Sequence, residues 1–210
     1  MFFAALALLK HGKWDKYYKN KMGQSPHRIV VNAFHLFQTS GQAIDLGCGV
    51  GNEALFLLNN GWNIWAIDSE SKAIQLLKNR ADINASGKLT AAVANFAKDS
   101  IWDTLPTVDF IYAAHALPFC KQTEFENVWS LIKNHLTHEG RFAGHFFGLN
   151  YEGFAEREME EMTFLRREEV LELFQDFDIE HFQEIEEDGL SGTGRPIHSH
   201  IFEVIAHKKS

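Results

Sequence analysis

A turn built on three alternating glycines constrains the fold of this chain more than any other feature. A short apolar run, residues 43–46, leads into Gly47, Gly49 and Gly51, and a helical pattern follows them. Glycine tolerates positive φ and carries no Cβ, so backbone N–H groups in such a turn can approach a ligand at the start of the next helix. The segment therefore predicts a strand, a tight turn and a helix that together hold a ligand.

The spacing of these glycines and of two nearby acids restricts the ligand. Dinucleotide-binding turns follow G-x-G-x-x-G, but Asn52 stands where the last glycine is needed, and the chain reads G-x-G-x-G instead. Asp45 lies two positions before Gly47, and Asp68 ends a second apolar run 21 positions after it. An acid at the end of the second strand can accept hydrogen bonds from both ribose hydroxyls. The pattern disfavours a nicotinamide-dependent dehydrogenase and favours another ligand held through its ribose.

Composition is typical of a compact enzyme rather than of a nucleic-acid-binding protein. With 210 residues, of which 45% are hydrophobic, the chain can bury one sizeable core, and a single main domain is expected. A formal net charge of −8 disfavours binding to nucleic acid, which needs a positively charged surface. The two cysteines, Cys48 and Cys120, make neither a disulfide framework nor a metal spacing. These features favour a reducing cytoplasm.

Strand and helix patterns alternate along the chain, which predicts a parallel sheet with helices on both faces. Strands are expected at 43–46, 62–68, 90–94, 108–113 and 141–147, and helices at 25–37, 51–60, 69–85, 124–136 and 166–174. The last two predicted strands, 179–185 and 200–206, leave no room for a helix, so they must pair as an antiparallel hairpin joined by 188–196. We therefore predict an α/β, Rossmann-like fold with seven strands, mostly parallel, in which the last strand is antiparallel.

These motifs resemble those of the class I S-adenosylmethionine-dependent methyltransferases. Three further segments, 116–120, 140–148 and 198–208, resemble the tellurite-resistance-type small-molecule branch of that family. The resemblance implies that S-adenosylmethionine is the cofactor and that S-adenosylhomocysteine is the product. It also implies that the cofactor contacts Asp45, Gly47, Cys48, Gly49, Gly51, Asp68, Ser69, Asn95, Phe96 and Ala113.

In function, the resemblance implies methyl transfer to a small-molecule acceptor by in-line displacement, and it leaves the acceptor open. The segment after the fourth strand, 114–119, lacks the N-P-P-Y loop of many nucleic acid and protein methyltransferases. We therefore expect neither a nucleic acid nor a membrane as partner. A second class of function stays open, in which the chain is a non-catalytic S-adenosylmethionine-binding sensor or assembly factor. Acceptor-dependent release of S-adenosylhomocysteine distinguishes the two.

Histidines are the candidate catalytic residues. His115 follows the fourth strand and is a candidate base or acceptor contact, although a structural role is an equal alternative. His198 and His200 share a face of the last strand, where they could form a polar wall or a metal pair, and the 188–196 loop could bring them over the acceptor. Because a third ligand in register is missing, we expect no metal.

The N-terminal segment, 1–24, is predicted to be a helical or lid element outside the methyltransferase domain at 25–210. Its apolar run, 2–9, is too short to span a bilayer, and no basic residues precede it as they would in a signal peptide. A short packed helix or an extended start fits better. Trp14, Tyr17 and Tyr18 either form an aromatic lid or pack on the core.

Overall fold

The computed structural model of the protein describes residues 16–82, 85–154, 156–191 and 194–209. Trp14 and the apolar run at 2–9, which the sequence predictions include, lie outside these residues. Within the described ranges, no helix is long and apolar enough to cross a membrane.

One sheet of eight strands organises the described part of the chain. The strands are β1 (Gln42–Leu46), β2 (Asn63–Asp68), β3 (Leu89–Val93), β4 (Val108–Ala113), β5 (Leu136–Gly148), β6 (Phe164–Leu165), β7 (Phe177–Leu190) and β8 (Pro196–Lys208). Their order is β3-β2-β1-β4-β5-β8-β7, and β6 pairs with the end of β5. Strands β1 to β6 pair in parallel, whereas β8 is antiparallel to both β5 and β7. The predicted mostly parallel sheet with an antiparallel last strand is confirmed.

Helices cover both faces of the sheet, as predicted. They are α1 (Arg28–Phe34), α2 (Asn52–Asn59), α3 (Ser71–Arg80), α4 (Gln122–His135), α5 (Glu156–Met159) and α6 (Arg167–Leu173). Buried side chains of α1, α2 and α3 pack on one face of the sheet, and those of α4 and α6 pack on the other. Residues 16–21 are also helical.

The starts of α1 and β5 differ from the predicted ones by three and five residues. Helix α1 begins at Arg28 rather than at 25, since the His27 side chain accepts a hydrogen bond from Ile29 N and caps the helix. Strand β5 begins at Leu136, well before the predicted 141. Its early part contains Glu139 at φ 64°, and the pairing with β4 shifts register there.

The closing hairpin is longer than predicted, and β6 was missed. The pairs of β7 and β8 continue to Leu190 and Pro196, so residues 188–190 and 196 of the predicted 188–196 loop are strand. Strand β6 has two residues, too few for any periodicity to reveal it.

The order of the strands positions the site. Consecutive strands lead outward from β1 to β3, and the chain then returns to place β4 on the other side of β1. Connections on the two sides of this reversal cover opposite faces of the sheet, so a crevice is left beyond the carboxyl ends of β1 and β4. The glycine turn follows β1 and therefore lies at the crevice.

An aromatic cluster fixes α4 and α6 against the sheet. The Trp129 ring of α4 lies 5.1 Å from Phe142 of β5 and 5.0 Å from Phe174, and the last two rings are 5.7 Å apart. Edge-to-face aromatic pairs add to the free energy gained by burying the rings. This cluster joins the sheet to its second helical layer.

We expect Phe142→Ala to lower the free energy of unfolding by about 3–5 kcal/mol, because a fully buried ring leaves a cavity. Urea unfolding followed by circular dichroism measures the loss. Leu149→Ala is the control, since Leu149 is 54% exposed and should change stability by less than about 0.5 kcal/mol. Equal losses in the two variants would contradict the assigned core.

Candidate functional site

A cavity of about 500 Å³ opens at the carboxyl ends of the central strands. The turn after β1, the segments after β2, β3 and β4, and residues from the region before α1 line it. Of the residues predicted to contact the cofactor, Asp45, Gly47, Cys48, Gly49, Asp68, Ser69, Asn95 and Phe96 line this cavity. Gly51 and Ala113 do not, although each is next to a residue that does.

The glycine turn is fastened to the neighbouring strand. Gly47, Gly49 and Gly51 have φ of 70°, 52° and 79°, all in the left-handed region that glycine adopts without strain. The N–H groups of Gly47 and Cys48 donate to the carbonyl oxygen of Ile67 at 2.8 and 3.0 Å. The turn therefore presents a fixed backbone surface to the cavity.

The three glycines are required for different reasons. A Cβ on Gly47 would lie 2.7 Å from a side-chain carbon of the segment after β4, and a Cβ on Gly51 would overlap the Leu77 side chain of α3. A Cβ on Gly49 would meet only Tyr18, in ordinary contact at 3.9 Å. Packing thus excludes side chains at the outer two positions, whereas Gly49 borders open cavity.

Asp45 places a buried carboxylate in the cavity wall. Its side chain belongs to a residue only 1% exposed, and its Oδ2 has no hydrogen-bond partner among the described residues. Burial, with help from the carboxylates of Glu53 and Asp68, raises the pKa of Asp45 well above its ordinary value. An unpaired buried acceptor of this kind is suited to a cationic donor on a ligand.

Asp68 is held in place by the backbone around it. Its Oδ2 accepts from Gly49 N and its Oδ1 accepts from Glu70 N, both at 2.8 Å. Burial raises the pKa of Asp68, and the two N–H donors oppose that rise. The carboxylate therefore joins the glycine turn to the end of β2 and keeps one orientation at the cavity.

The loop after β3 is organised by its own polar groups. Asn95 Oδ1 accepts from Ala97 N at 3.0 Å, and Asn95 N donates to Asp99 Oδ2 at 2.6 Å. The Trp102 indole N–H donates to the Phe96 carbonyl oxygen at 2.7 Å. These bonds fix Asn95 and Phe96 at the cavity edge.

The helical segment at 16–21 forms another wall. Tyr17 and Tyr18 line the cavity, and Tyr18 is only 4% exposed. Asn52 Nδ2 donates to the Lys21 backbone carbonyl oxygen at 2.9 Å, and Asn52 Oδ1 accepts from the Arg80 guanidinium at 2.8 Å. The sequence analysis noted Asn52 only because it stands where a dinucleotide-binding turn needs glycine. In the structure, its side chain connects the 16–21 segment to α2 and α3.

Several carboxylates line the cavity, and burial together with these carboxylates raises the pKa values of its tyrosines. Burial and nearby carboxylates, first Glu53 and then Asp68, raise the pKa of Tyr17 to about 12. Burial likewise raises the pKa of Tyr18 and of Tyr112. The three phenols are neutral at physiological pH, and the negative charge of the site belongs to its carboxylates.

His115 meets two other histidines at one side of the cavity. Its ring centre lies 4.3 Å from that of His145 on β5 and 5.9 Å from that of His27, and His27 and His145 are 4.9 Å apart. The His115 side chain is exposed where it lines the cavity, and desolvation by the protein around it lowers its pKa well below the ordinary value. Burial, followed by the charge of His145, lowers the pKa of His27 to about 4.

A buried glutamate on β8 supports this histidine cluster. Glu203 is 1% exposed, and its carboxylate receives His145 Nε2 at 3.2 Å, His181 Nε2 at 3.0 Å and an Arg28 N–H at 3.3 Å. Burial by itself would raise the pKa of Glu203, but the bond from His145 and the positive charges nearby lower it below its usual range.

Sequence reasoning missed His27, His145 and Glu203. The available signal was that His145 and Glu203 each interrupt an apolar run in a strand, where a charged or polar residue needs a buried partner.

The other candidate catalytic histidines lie outside the cavity. His198 pairs with Asp188 at 2.8 Å and with Glu186 at 3.1 Å, across the closing hairpin. His200 Nε2 pairs with Glu184 at 3.0 Å, and its Nδ1 accepts from Asn150 N at 3.2 Å. Neither side chain lines the cavity. The structure therefore does not bring His198 and His200 to His115.

The comparisons with known proteins agree with this architecture. A sequence model of the family described as tellurite resistance protein TehB matches residues 10–187. No curated protein sequence is similar enough to this chain to count as a relative.

Solved structures share the fold at low sequence identity. TehB from Haemophilus influenzae is 17% identical, with a TM-score of 0.73 over 93% of this chain and 67% of that one. An S-adenosylmethionine-dependent methyltransferase from Methanosarcina mazei is 20% identical, with a TM-score of 0.64 over 89% of this chain and 99% of that one. The 1,6-didemethyltoxoflavin-N1-methyltransferase of Burkholderia thailandensis, solved with bound 1,6-didemethyltoxoflavin and S-adenosylhomocysteine, is 16% identical, with a TM-score of 0.64 over 99% of this chain and 90% of that one.

The buried Asp45 carboxylate, although suited to a cationic ligand, should lower the stability of the ligand-free protein. Because burial raises its pKa, the folded protein holds the proton more tightly than the unfolded chain, and the fold loses stability as pH rises above the unfolded value of about 3.9. Asp45→Asn should therefore raise the free energy of unfolding of the ligand-free protein by about 1–3 kcal/mol near neutral pH, and by little near pH ~4.

Urea unfolding at the two pH values tests this expectation. Asp103→Asn is the matched control, because Asp103 is exposed on the surface. Destabilisation of the Asp45→Asn protein near neutral pH would mean that Oδ2 has a partner in the free protein, in addition to the Ala54 N–H that already lowers the pKa of this carboxyl.

Proposed function

Since this chain belongs to the TehB family of tellurite resistance proteins, we propose that it transfers the methyl group of S-adenosylmethionine to a small-molecule acceptor by in-line displacement. Family membership and the shared fold confirm the predicted class I S-adenosylmethionine-dependent methyltransferase and its cofactor. The acceptor class and the displacement geometry are the proposed part.

One observation carries the proposal: the Asp45 oxygen that has no partner among the described residues lies in the same cavity as the backbone-fixed Asp68. Asp45 would receive the ammonium of the cofactor's methionyl part, and Asp68 would accept its ribose hydroxyls. Gly49 would lie against the cofactor because its missing Cβ leaves the cavity wall open. Asn95 and Phe96 would border the adenine. A cluster of carboxylates also favours a ligand that carries positive charge.

The cofactor supplies a methyl group on a positively charged sulfur, and the protein contributes mainly alignment. Holding an attacking atom in line with such a methyl group can be worth on the order of 7–11 kcal/mol. The part of the cavity lined by Tyr17, His115 and Phe119 is where the acceptor would lie. A base is needed only if the acceptor is protonated at working pH, and His115 is the candidate that the cavity presents.

The acceptor is proposed to be a small neutral or cationic metabolite, or a thiol-like or chalcogen nucleophile. The net charge of −8 and the carboxylates of the cavity disfavour a nucleic acid. The methyltransferase from Burkholderia thailandensis was solved with the small molecule 1,6-didemethyltoxoflavin, which provides a precedent on this fold.

Two further features belong to the proposal. The segment at 1–24 would act as a lid, which the cavity contacts of Tyr17 and Tyr18 support. A reducing cytoplasm would suit Cys48 and Cys120, which are both free and buried.

For the cofactor, we expect binding of S-adenosylmethionine and S-adenosylhomocysteine and none of NAD. Gly49→Val should abolish binding, because valine is strained at φ 52° and its side chain would enter the cavity. Asp68→Ala should weaken binding by about 1–3 kcal/mol, since it leaves polar partners unpaired. Isothermal titration calorimetry measures both changes.

Two matched variants control this experiment. Gly194→Val introduces the same strain at φ 81° in the closing hairpin, and Asp103→Ala removes an exposed carboxylate; both should bind normally. Unchanged affinity in Gly49→Val and Asp68→Ala would overturn the assigned cofactor site.

For turnover, we expect S-adenosylhomocysteine release to depend on a small acceptor. A panel of thiols, amines, hydroxyl compounds and chalcogen oxyanions, read by release of S-adenosylhomocysteine, tests this directly. Methylation of bulk RNA or DNA that falls steeply with added salt would contradict the proposed acceptor class. Cofactor binding without turnover on any acceptor of the panel would favour the sensor or assembly role instead.

A further inference from the structure

Three imidazole rings meet at one wall of the cavity although they come from distant parts of the chain. His27 caps α1, His115 follows β4, and His145 lies within β5. Each offers a ring nitrogen, and these nitrogens lie within 4.8 Å of one another. The residues of this histidine cluster are far apart in sequence, so only the strand order brings them together.

The buried member of the cluster has one nitrogen engaged and one without a partner. His145 is 2% exposed, and its Nε2 faces the Glu203 carboxylate at 3.2 Å. Its Nδ1 is buried and has no hydrogen-bond partner among the described residues. A carboxylate that binds one nitrogen of a histidine fixes the ring orientation and leaves the other nitrogen as a lone-pair donor.

Backbone geometry fixes a second member. His115 has φ 52°, and it is one of only two non-glycine residues of the described chain with positive φ. Positive φ is uncommon outside glycine, and histidine is among the residues that adopt it most readily, so this backbone conformation sets the direction from which the side chain enters the cluster. The His115 and His27 side chains both line the cavity.

We infer that His27, His115 and His145 form a binding site for a divalent transition-metal ion, with Zn²⁺ as the best match. Zinc takes imidazole nitrogens at about 2.0–2.1 Å, so the three rings would draw together around the ion. Three protein ligands leave one coordination position open, as in zinc sites that bind substrate. That position would face the cavity, and the Glu203 carboxylate would supply the supporting bond behind His145. The sequence-based expectation of no metal concerned only His198 and His200 of β8, and not these three histidines.

The open position adds a substrate class to the proposed function. A thiolate or an oxyanion of a chalcogen binds such an ion directly, and the metal would fix its orientation. This step rests on the proposed methyl transfer, whereas binding of the metal does not.

Titration of the metal-free protein with Zn²⁺, in the absence of cofactor and acceptor, tests the site. We expect one ion per chain by calorimetry, and a tetrahedral visible spectrum when Co²⁺ replaces Zn²⁺. His115→Asn and His27→Ser should each weaken binding by at least about tenfold, because losing even a residue that only supports a metal ligand costs about 10- to 100-fold in affinity. Asparagine tolerates the left-handed backbone at 115, and serine can still cap α1, so both variants keep the fold.

Two histidine variants outside the cluster are the controls. His200→Ala alters a second group of possible ligands, Glu184, Glu186 and His200, and His138→Ala removes an exposed histidine. Both should retain the wild-type zinc affinity. Absence of stoichiometric binding, or binding lost in His200→Ala but kept in His115→Asn and His27→Ser, would overturn the inference.

The same proteins separate this result from the cofactor assignment. S-adenosylmethionine affinity should stay within about twofold in His115→Asn and His27→Ser, because Asp45 and Asp68 lie on β1 and β2. Zinc binding without cofactor binding would support the metal site and contradict the proposed function. Cofactor binding without zinc binding would contradict the metal site and leave the proposed function supported.

Discussion

The carboxylate of Asp68 is the contact on which the site depends. It accepts hydrogen bonds from Gly49 N in the turn after β1 and from Glu70 N after β2, so it joins two strands at the point where their chains leave the sheet. The Ile67 carbonyl oxygen reinforces the same junction. Without these bonds, the ends of β1 and β2 would be connected by the sheet alone, and the cavity would have no fixed floor.

The features that could be predicted from the sequence are those encoded by neighbouring residues, namely the main strands and the glycine turn. Runs of apolar residues identified the main strands, and the glycine turn with Asp45 and Asp68 located part of the wall of the cavity. Where prediction failed, the structure depends on capping, backbone geometry and pairing that hydrophobic patterns do not encode: His27 caps α1 and shortens it, Glu139 has a positive φ inside β5, and β7 and β8 pair far beyond their apolar cores.

The histidines illustrate the same limit in the functional site. His198 and His200 are prominent in sequence because they are two positions apart, yet their nitrogens are taken up by acids across the hairpin and by Asn150. His145 and Glu203 are 58 positions apart, and only the antiparallel pairing of β5 with β8 places them opposite each other. A single sequence carries no local trace of that pairing.

The tie made by Asn52 gives the N-terminal segment a thermodynamic role. Asn52 follows the glycine turn, binds the Lys21 carbonyl oxygen and is itself held by Arg80 of α3. Docking of this segment and filling of the cavity thus share one set of contacts. Under linkage, any factor by which a docked segment strengthens ligand affinity must equal the factor by which the ligand strengthens docking. With such a linkage, a ligand in the cavity stabilises the docked position of residues 16–21. Their resistance to protease would then rise with ligand concentration.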